Sequence, residues 1–277
     1  MSWLLLPTNI DKNRIVRVEE VIEESPTVRT LKFRDELSEM AKPGQFDMVW
    51  IPRTDELPMS VMIAEPDGYA AFTIRKHGKS STAFYNTPVN GFLGVRGPYG
   101  NSFTIKNGKV LLVGGGTGLV PLMRLSKQMV KRNSDITLII GAKIREEVLF
   151  EDYAKTLLEK IKHKIIITTE DDSYGIKGLA TDVTEKLMAN DHFHMVYTCG
   201  PERMMKKVVE LATGNGIPSQ ASLERLMKCG IGICCSCCVG RYLLCKDGPV
   251  LDGKEVLKEA EFGQYARDKS GRLADMW

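Results

Sequence analysis

Histidine and recognisable catalytic motifs are scarce in this sequence. Only four histidines occur among its 277 residues, none lies near residues 229–245, where six of the seven cysteines stand, and they form no motif with other catalytic residue types. No cysteine or serine stands beside a base partner in a recognisable pattern. We therefore predict no catalytic acid-base pair and no site for chemistry on a carbon substrate.

Long apolar runs and concentrated charge are missing as well. No segment approaches the about 20 apolar residues of a membrane span, and residues 1–7 lack the length and basic character of a signal peptide. The net charge is only +3, without a basic stripe carrying interleaved aromatics, so a nucleic-acid partner is not expected. The composition, 43% hydrophobic and 26% charged, predicts an ordinary soluble globular protein of two domains with a small appendage.

Cysteine, in contrast, is concentrated in one short stretch. Six of the seven cysteines fall between residues 229 and 245, whereas a disulfide framework spreads its cysteines to join distant segments. The spacing C-x4-C-x2-C…C is typical of plant-type ferredoxins, which hold a [2Fe-2S] cluster with it, and the thiols in this spacing are Cys229, Cys234, Cys237 and Cys245. Intervening glycines permit the close backbone approach that such a loop requires.

Two other interpretations of the cysteines remain open. Cys235 and Cys238 adjoin two of the predicted ligands, and a register that uses them with Cys229 has a first gap of five residues instead of four. We expect Cys235 and Cys238 to be small buried side chains around the cluster. A zinc site also uses C-x2-C pairs, but it normally has two such pairs or a pair plus histidines. Exposed cluster-binding thiols fit a reducing cytoplasm.

The chain as a whole divides into three segments, residues 12–104, 105–218 and 219–277. The first has short alternating strands broken by Pro and Gly, which predict an antiparallel barrel or sandwich. In the second, apolar strands near 110–114, 136–141, 164–168 and 195–200 alternate with helices, which predicts a parallel, doubly wound sheet. The third carries the cysteines.

A glycine-rich turn follows the first apolar strand of the second segment. Residues 114–118 read Gly-Gly-Gly-Thr-Gly, but Leu119 takes the place of the last glycine in G-x-G-x-x-G, so the standard dinucleotide pattern is not met. The turn could still cradle a phosphate at the start of the next helix. A plain tight turn is the alternative.

The order of these motifs resembles the ferredoxin reductase superfamily, in which a barrel holds a flavin and an α/β domain holds a nicotinamide nucleotide. Residues 57–60, 96–100, 114–121 and 198–204 carry this resemblance. With residues 222–232 and 245–250 added, the chain is similar to the electron-transfer subunits of NAD-linked dihydroorotate dehydrogenases. The resemblance extends from about residue 14 to residue 253. It implies a flavin-binding β-barrel, a nucleotide-binding sheet and a small C-terminal [2Fe-2S] domain.

This resemblance implies a site for FAD along the barrel. The family motif usually begins with an arginine that binds the flavin phosphates, and here that position is Leu57. Arg75, Lys76 or Lys79 is expected to supply the missing cation, although a solvated strand face is an alternative for Arg75 and Lys79, as an edge turn is for Pro58 and Ser60. The implied FAD-binding residues are Leu57, Pro58, Met59, Ser60, Ile74, Arg75, Lys76, Gly78, Ser80, Ser81 and Thr82.

The resemblance also implies a site for NAD. It assigns the pyrophosphate to Gly115, Gly116 and Thr117, and the nicotinamide to Cys199, Gly200 and Pro201. Cys199 could equally be a plain core residue. Residues 170–172 read Glu-Asp-Asp, and carboxylates repel the 2′-phosphate of NADP, so Glu170 is expected to accept a hydrogen bond from the ribose of NAD. A solvated acidic turn is the alternative.

The implied function is electron transfer within a hetero-oligomer. In this family, electrons from dihydroorotate oxidation on a catalytic (FMN) subunit cross the [2Fe-2S] cluster to FAD, which reduces NAD+. A docking face is expected around the cysteines, with the apolar side chains of Ile231, Ile233, Val239, Leu243 and Leu244. The alternative is that these side chains pack inward on the barrel and the sheet. The alternatives are the small subunit of an NADH-dependent ferredoxin:NADP oxidoreductase or of a sulfhydrogenase, and a zinc-stapled binding protein without redox activity.

Overall fold

The computed structural model describes residues 10–63, 68–268 and 270–275. Its first part is a closed antiparallel barrel with strand order β1-β2-β5-β4-β3-β6, which decides between the barrel and the sandwich. Two short helices, α1 (Glu36–Glu39) and α2 (Lys79–Tyr85), accompany it. The strands are β1 (Arg14–Ser25), β2 (Val28–Arg34), β3 (Phe46–Ile51), β4 (Asp55–Ile63), β5 (Tyr69–Arg75) and β6 (Phe92–Tyr99).

The second part is a seven-stranded sheet with order β10-β9-β8-β7-β11-β12-β15. All neighbours are parallel except β12 and β15. Its strands are β7 (Lys109–Gly115), β8 (Asp135–Ala142), β9 (His163–Thr169), β10 (Ile176–Lys177), β11 (Met195–Cys199), β12 (Ser219–Ser222) and β15 (Val250–Asp252). The helices between them are α3 (Leu119–Val130), α4 (Glu151–Leu158), α5 (Ala180–Asn190) and α6 (Glu202–Gly214).

Apolar packing on both faces of this sheet explains its continuous hydrophobic strands. The α3 and α4 helices pack on one face with Leu112 and Leu138, while α5 and α6 pack on the other with Leu111 and Ile139. The predicted doubly wound arrangement is therefore confirmed. No helix in the described part of the chain is long and apolar enough to cross a membrane.

The strand order indicates which edge of the sheet binds ligands. From β7 the chain moves outward through β8, β9 and β10, and then returns to add β11 on the opposite side of β7. Open α/β sheets bind ligands at such a switch point, beyond the carboxyl ends of the strands. The turns that follow β7 and β11 therefore meet at this edge, and they contain residues 114–118 and 199–201.

The third segment does not stand apart from the other two. Its β12 and β15 are strands of the large sheet, and its remaining elements are β13 (Cys238–Val239), β14 (Tyr242–Leu243), α7 (Gly253–Val256), β16 (Tyr265–Arg267) and β17 (Leu273–Asp275). One apolar core joins Phe46 and Met48 of the barrel, Met205 of α6, and Cys237 and Leu244 of the cysteine segment. The cysteines are therefore held against both larger units.

A buried ion pair fastens this segment to α6. Arg225 donates from Nη2 to Oε1 of Glu202 at 2.6 Å, and its Nη1 contacts Oε2 of the same carboxylate. The two side chains are only 2% and 3% exposed. Glu202 also accepts from the Gly263 amide at 2.7 Å, so the pair links α6, the start of the cysteine segment and its end.

Replacing this arginine should destabilise the protein strongly. Arg225→Met leaves the buried Glu202 carboxylate without its cation, which costs about 3–5 kcal/mol. We expect a large fall in the thermal midpoint measured by circular dichroism, together with loss of bound cofactor. Arg241→Met, at an exposed arginine that pairs with Glu255 at 2.8 Å, is the matched control and should leave the midpoint almost unchanged. Equal midpoints for the two variants would contradict the assigned role.

Candidate functional site

A cavity of about 870 Å³ lies where the barrel meets the sheet and the cysteine segment. Its size is within the range of small-molecule and cofactor sites. The barrel residues that line it come from β4, from the end of β5 and from the start of α2, and the predicted FAD-binding residues among them are Leu57, Pro58, Met59, Ser60, Ile74, Arg75, Gly78, Ser80 and Ser81. We call this the barrel cavity.

Two predicted FAD residues lie elsewhere. Thr82 and Lys76 are not among the residues that line the barrel cavity. Lys76 places its ammonium 4.7 Å from the centre of the Tyr85 ring, so a cation–π contact holds it on the outer surface. Lys79, the first residue of α2, does line the barrel cavity.

Arg75 occupies the border between two cavities. Its Nη1 donates to Oε1 of Glu147 at 3.1 Å, which joins the end of β5 to the sheet domain. Arg75 lines the barrel cavity and also a second cavity of about 900 Å³, which we call the sheet cavity. Its charge is therefore already shared with Glu147 and does not belong to the barrel cavity alone.

The sheet cavity lies at the switch point of the strands. Gly115, Gly116, Thr117, Glu170, Gly200 and Pro201 all line it. Close backbone approach shapes this edge, because a Cβ on Gly118 would lie 2.5 Å from the backbone nitrogen of Gly200. Only glycine lets the two turns come so near. The arrangement places backbone amides at the start of α3, where phosphate groups bind.

The two cavities adjoin one another. They share Arg75, Thr117, Gly118 and Glu224 in their linings. A ligand in one cavity can therefore contact a ligand in the other beside Cys199, which lines the barrel cavity. Burial, followed by the negative charge of Glu224, raises the pKa of the Cys199 thiol to about 12. The thiol stays protonated at neutral pH and is no nucleophile.

Glu224 was not predicted from the sequence. The surrounding protein raises its pKa by desolvation, although the residue is open to both cavities. The only available signal was its place in the run from Ser222 to Gly232, and a single glutamate there carries no distinguishing pattern. Arg96, which contacts the cysteine loop, was likewise missed as a functional residue.

The acidic turn after β9 separates into three environments. Asp171 accepts from the amide and hydroxyl of Ser173 at 3.0 and 2.6 Å, and these bonds hold its pKa below the usual value. Asp172 pairs with Lys177 at 3.5 Å. Glu170 alone of the three lines the sheet cavity, together with Lys143.

Backbone amides of the loop donate hydrogen bonds to the sulfurs of three predicted cluster ligands. Cys229 Sγ accepts from the amides of Ile233 and Cys234, each at 3.4 Å. Cys245 Sγ accepts from Gly232 at 3.1 Å, and Cys237 Sγ accepts from the Cys245 amide at 3.4 Å. Hydrogen bonds from backbone amides to sulfur stabilise thiolates and help to set the reduction potential of iron-sulfur clusters.

Two of these thiols have pKa values shifted in opposite directions. Partial burial acts to raise the pKa of Cys234, but hydrogen bonds with Ser236 and Cys229 outweigh it and lower the pKa to about 6. Burial, followed by the hydrogen bond and charge of Cys237, raises the pKa of Cys245 to about 12. Thiols bind metal as thiolates, so assembly of a cluster would release protons from its ligands.

Cys235 and Cys238 make contacts of a different kind. Cys235 is exposed with φ of 59°, and its thiol contacts the Ile233 carbonyl at 3.8 Å. Cys238 accepts from Nε of Arg267 at 2.9 Å. The expectation of burial was wrong for Cys235, whose left-handed backbone leaves it exposed, whereas Cys238 is half-buried with its thiol against Arg267.

The donors in this loop suit an iron-sulfur cluster, because four thiols lie on one loop and backbone amides donate to three of their sulfurs. Within residues 10–63, 68–268 and 270–275, no three cysteine, histidine or carboxylate side chains are grouped as ligands of a single ion. The loop also rests closely on the barrel, since a Cβ on Gly230, at φ of 73°, would lie 2.8 Å from Cγ of Met48.

The apolar residues predicted to form a docking face are not all exposed. Val239 and Leu244 are fully buried in the core shared with the barrel, and Leu243 packs against it, so their assignment to the surface was wrong. Ile231 and Ile233 remain 45% and 73% exposed.

Comparisons with known proteins agree with this arrangement. Residues 112–210 match the oxidoreductase NAD-binding domain family, and residues 224–257 match the iron-sulfur cluster binding domain of dihydroorotate dehydrogenase B. A probable dihydroorotate dehydrogenase B (NAD(+)) electron transfer subunit from Methanocaldococcus jannaschii is 41% identical over 265 residues, which cover 95% of this chain and 98% of that protein. Its counterpart from Pyrococcus horikoshii is 40% identical and covers 94% and 98%.

A solved structure shares the whole architecture. A chain of an NADH-dependent reduced ferredoxin-NADP oxidoreductase superposes with a TM-score of 0.79 and 26% identity, over 90% of this chain and 93% of that one. Its study concerns flavin-based electron bifurcation.

Substitution of individual cysteines should identify the cluster ligands. Serine at position 229, 234, 237 or 245 removes one thiolate and opens the iron to solvent, so each variant should lose most of its visible iron-sulfur absorbance and its bound iron. Cys235→Ser and Cys238→Ser are the matched controls and should keep most of both. A stable cluster in Cys245→Ser combined with loss in Cys238→Ser would refute this ligand set.

Proposed function

The chain belongs to the family of electron-transfer subunits of dihydroorotate dehydrogenase B, and we propose that it passes electrons from an FMN-containing catalytic subunit to NAD+ in pyrimidine biosynthesis. Its relatives at 36–41% identity bear that name. It is therefore an NAD-linked flavin and iron-sulfur oxidoreductase subunit, with FAD, a [2Fe-2S] cluster and NAD as cofactors.

One observation carries this proposal: the sites follow one another without interruption. The sheet cavity adjoins the barrel cavity, and the barrel cavity is lined by Leu226, Met227 and Lys228, directly before Cys229. A bound flavin exchanges hydride with a nicotinamide and single electrons with an iron-sulfur cluster, so it belongs in the middle position. The barrel cavity has that position.

The residues around the barrel cavity would hold and shield the flavin. Strand β4 presents Leu57 and Pro58 along one side, while Val120 and Pro121 at the start of α3 close another. These apolar surfaces would exclude water from the flavin ring. Lys79 at the start of α2 is our candidate for the cation that Leu57 lacks, because Arg75 is engaged with Glu147.

The sheet cavity would orient the nucleotide. Amides around Gly116 and Thr117 would bind its pyrophosphate, and the Cys199 turn would hold the nicotinamide against the flavin without any proton transfer. At the outer end, Glu170 would accept from a ribose hydroxyl. The cation Lys143 lines the same cavity as Glu170, so the balance between these two charges would determine whether the site prefers NAD or NADP.

Nucleotide preference tests the assignment of Glu170. NADH should reduce the bound flavin at least tenfold faster than NADPH, because the 2′-phosphate meets a carboxylate, and at short range such repulsion costs on the order of 1 kcal/mol or more. Glu170→Gln should lower the ratio of the NADH rate to the NADPH rate in stopped-flow measurements at low salt. Asp172→Asn, on the same turn but paired with Lys177, is the control. Equal rates with NADH and NADPH, or a faster rate with NADPH, in the unmodified protein would show that Lys143 and not Glu170 determines the nucleotide preference.

A partner is required on the cluster side. Cys234 is exposed, and Ile231 and Ile233 surround it on the surface. Exposed apolar side chains beside a redox centre are suited to docking of another protein. We propose that this surface receives the FMN-containing subunit, and that the complex works in the reducing cytoplasm, where exposed thiols persist.

The chain alone should catalyse only one of the two partial reactions. Reconstituted with FAD and cluster, it should oxidise NADH with an artificial acceptor, because nucleotide and flavin sites lie within one chain. Dihydroorotate-dependent NAD+ reduction should appear only after the catalytic subunit is added. Ile233→Gln should weaken that association about tenfold, or about 1.4 kcal/mol, and Ile22→Gln, at a barrel residue 41% exposed, is the matched control.

Two outcomes would contradict this proposal. Oxidation of dihydroorotate by the isolated chain would mean that it contains its own carbon-substrate site. Failure of the catalytic subunit to restore activity, while ferredoxin accepts electrons instead, would favour a role like that of the NADH-dependent ferredoxin-NADP oxidoreductase, whose chain has the same architecture.

A further inference from the structure

Arg96 joins the barrel to the loop of cluster ligands. Its Nε and Nη2 donate to the two carboxylate oxygens of Glu56 at 2.6 and 2.5 Å. Its Nη1 donates to the carbonyl of Cys229 at 2.8 Å, and Nη2 lies 3.5 Å from the carbonyl of Lys228. The Arg96 and Glu56 side chains are largely buried, at 15% and 24% exposure.

Both ends of this bridge are placed at proposed cofactor sites. Glu56 lines the barrel cavity and immediately precedes Leu57 on β4. Cys229 is the first proposed cluster ligand. A Cβ on Gly230 would lie 3.4 Å from Nη1 of Arg96, so the loop rests directly on the guanidinium. Arg96 therefore contacts the ligand loop directly and the barrel cavity through Glu56.

The position of the charge matters as much as the contacts. Hydrogen bonding to Glu56 raises the pKa of Arg96, and a guanidinium is always charged in proteins. Reduction of an iron-sulfur cluster adds one negative charge, and nearby charge and hydrogen bonds set how readily it is accepted. In a partly buried site this interaction is weakly screened.

We propose that Arg96 is a positioning residue for the [2Fe-2S] cluster, which fixes Cys229 against the flavin-binding strand and favours the reduced cluster through the Cys229 carbonyl. This rests on the proposed function, since it requires that the thiols bind a cluster. Glu56 holds the guanidinium in place and also offsets part of its charge. Removing the cation and removing the anion should therefore shift the reduction potential in opposite directions.

The test measures the midpoint potential of the cluster in the complete protein by redox titration followed by electron paramagnetic resonance. Arg96→Met should make reduction at least tenfold less favourable, a shift of 59 mV for a one-electron couple. Glu56→Gln should shift the potential the other way. Arg96→Lys keeps the charge and should lie between Arg96→Met and the unmodified protein.

A matched ion pair elsewhere in the barrel supplies the control. Arg14 donates to both oxygens of Asp35 at 2.8 Å, with similar exposure of 19% and 8%, and its other hydrogen bond goes to the Gly97 carbonyl. Arg14→Met should leave the potential and the resonance spectrum of the cluster unchanged, whatever its effect on stability.

The outcomes separate this inference from the proposed function. Shifts of the same sign in Arg96→Met and Glu56→Gln, or no shift in either, would overturn the inference and leave electron transfer intact. If Arg96→Met loses its cluster, the Arg96→Lys and Glu56→Gln potentials decide in the same way. An unmodified protein that binds no cluster would instead refute the proposed function itself.

Discussion

The apolar core shared by the barrel, α6 and the cysteine segment determines where every site lies. Met48 on the outer face of the barrel, Met205 on α6 and Leu244 in the cysteine segment pack together in it. Because protein interiors are closely packed, none of the three units can shift without opening a void. The distances between the two cavities and the thiols are therefore fixed by packing of side chains that take no part in the chemistry.

Two arginines complement this packing with directional bonds. Arg225 fastens the beginning of the cysteine segment to α6, and Arg96 fastens the ligand loop to the barrel. Each holds a carboxylate through paired hydrogen bonds, the geometry in which guanidinium differs most from an ammonium. Apolar contact packs the units together, while the arginines tie particular residues of one unit to particular residues of the next. An electron path needs both.

The sequence predicts much of this arrangement and misses parts for identifiable reasons. The barrel, the parallel sheet and the cysteine spacing follow from alternation, apolar runs and the regular placing of thiols. The helix α6 could have been read from its amphipathic pattern, since Met205, Val208, Val209 and Ala212 are all buried. The strand β12, Ser-Gln-Ala-Ser, carries no such signal, because its strand conformation comes from its neighbours in the sheet.

Other features depend on contacts between distant residues. The burial of Val239 and Leu244 depends on the barrel surface beneath them, and the surface role of Lys76 depends on Tyr85. The outward thiol of Cys235 depends on a left-handed turn that no residue type in the loop announces. Spacing predicts which cysteines can act together, but only tertiary contacts determine which of them face one another.

The pairing of β12 with β15 has a consequence for the ancestry of such proteins. These strands are hydrogen-bonded neighbours, so the chain leaves the sheet for the cysteine loop and returns to it one strand spacing away, about 4.8 Å. A reductase without a cluster could acquire one by lengthening a single hairpin at the sheet edge, with the rest of its path unchanged. Grafting that hairpin onto another reductase would also require the barrel surface that receives it, beginning with Met48 and Gly230 in contact.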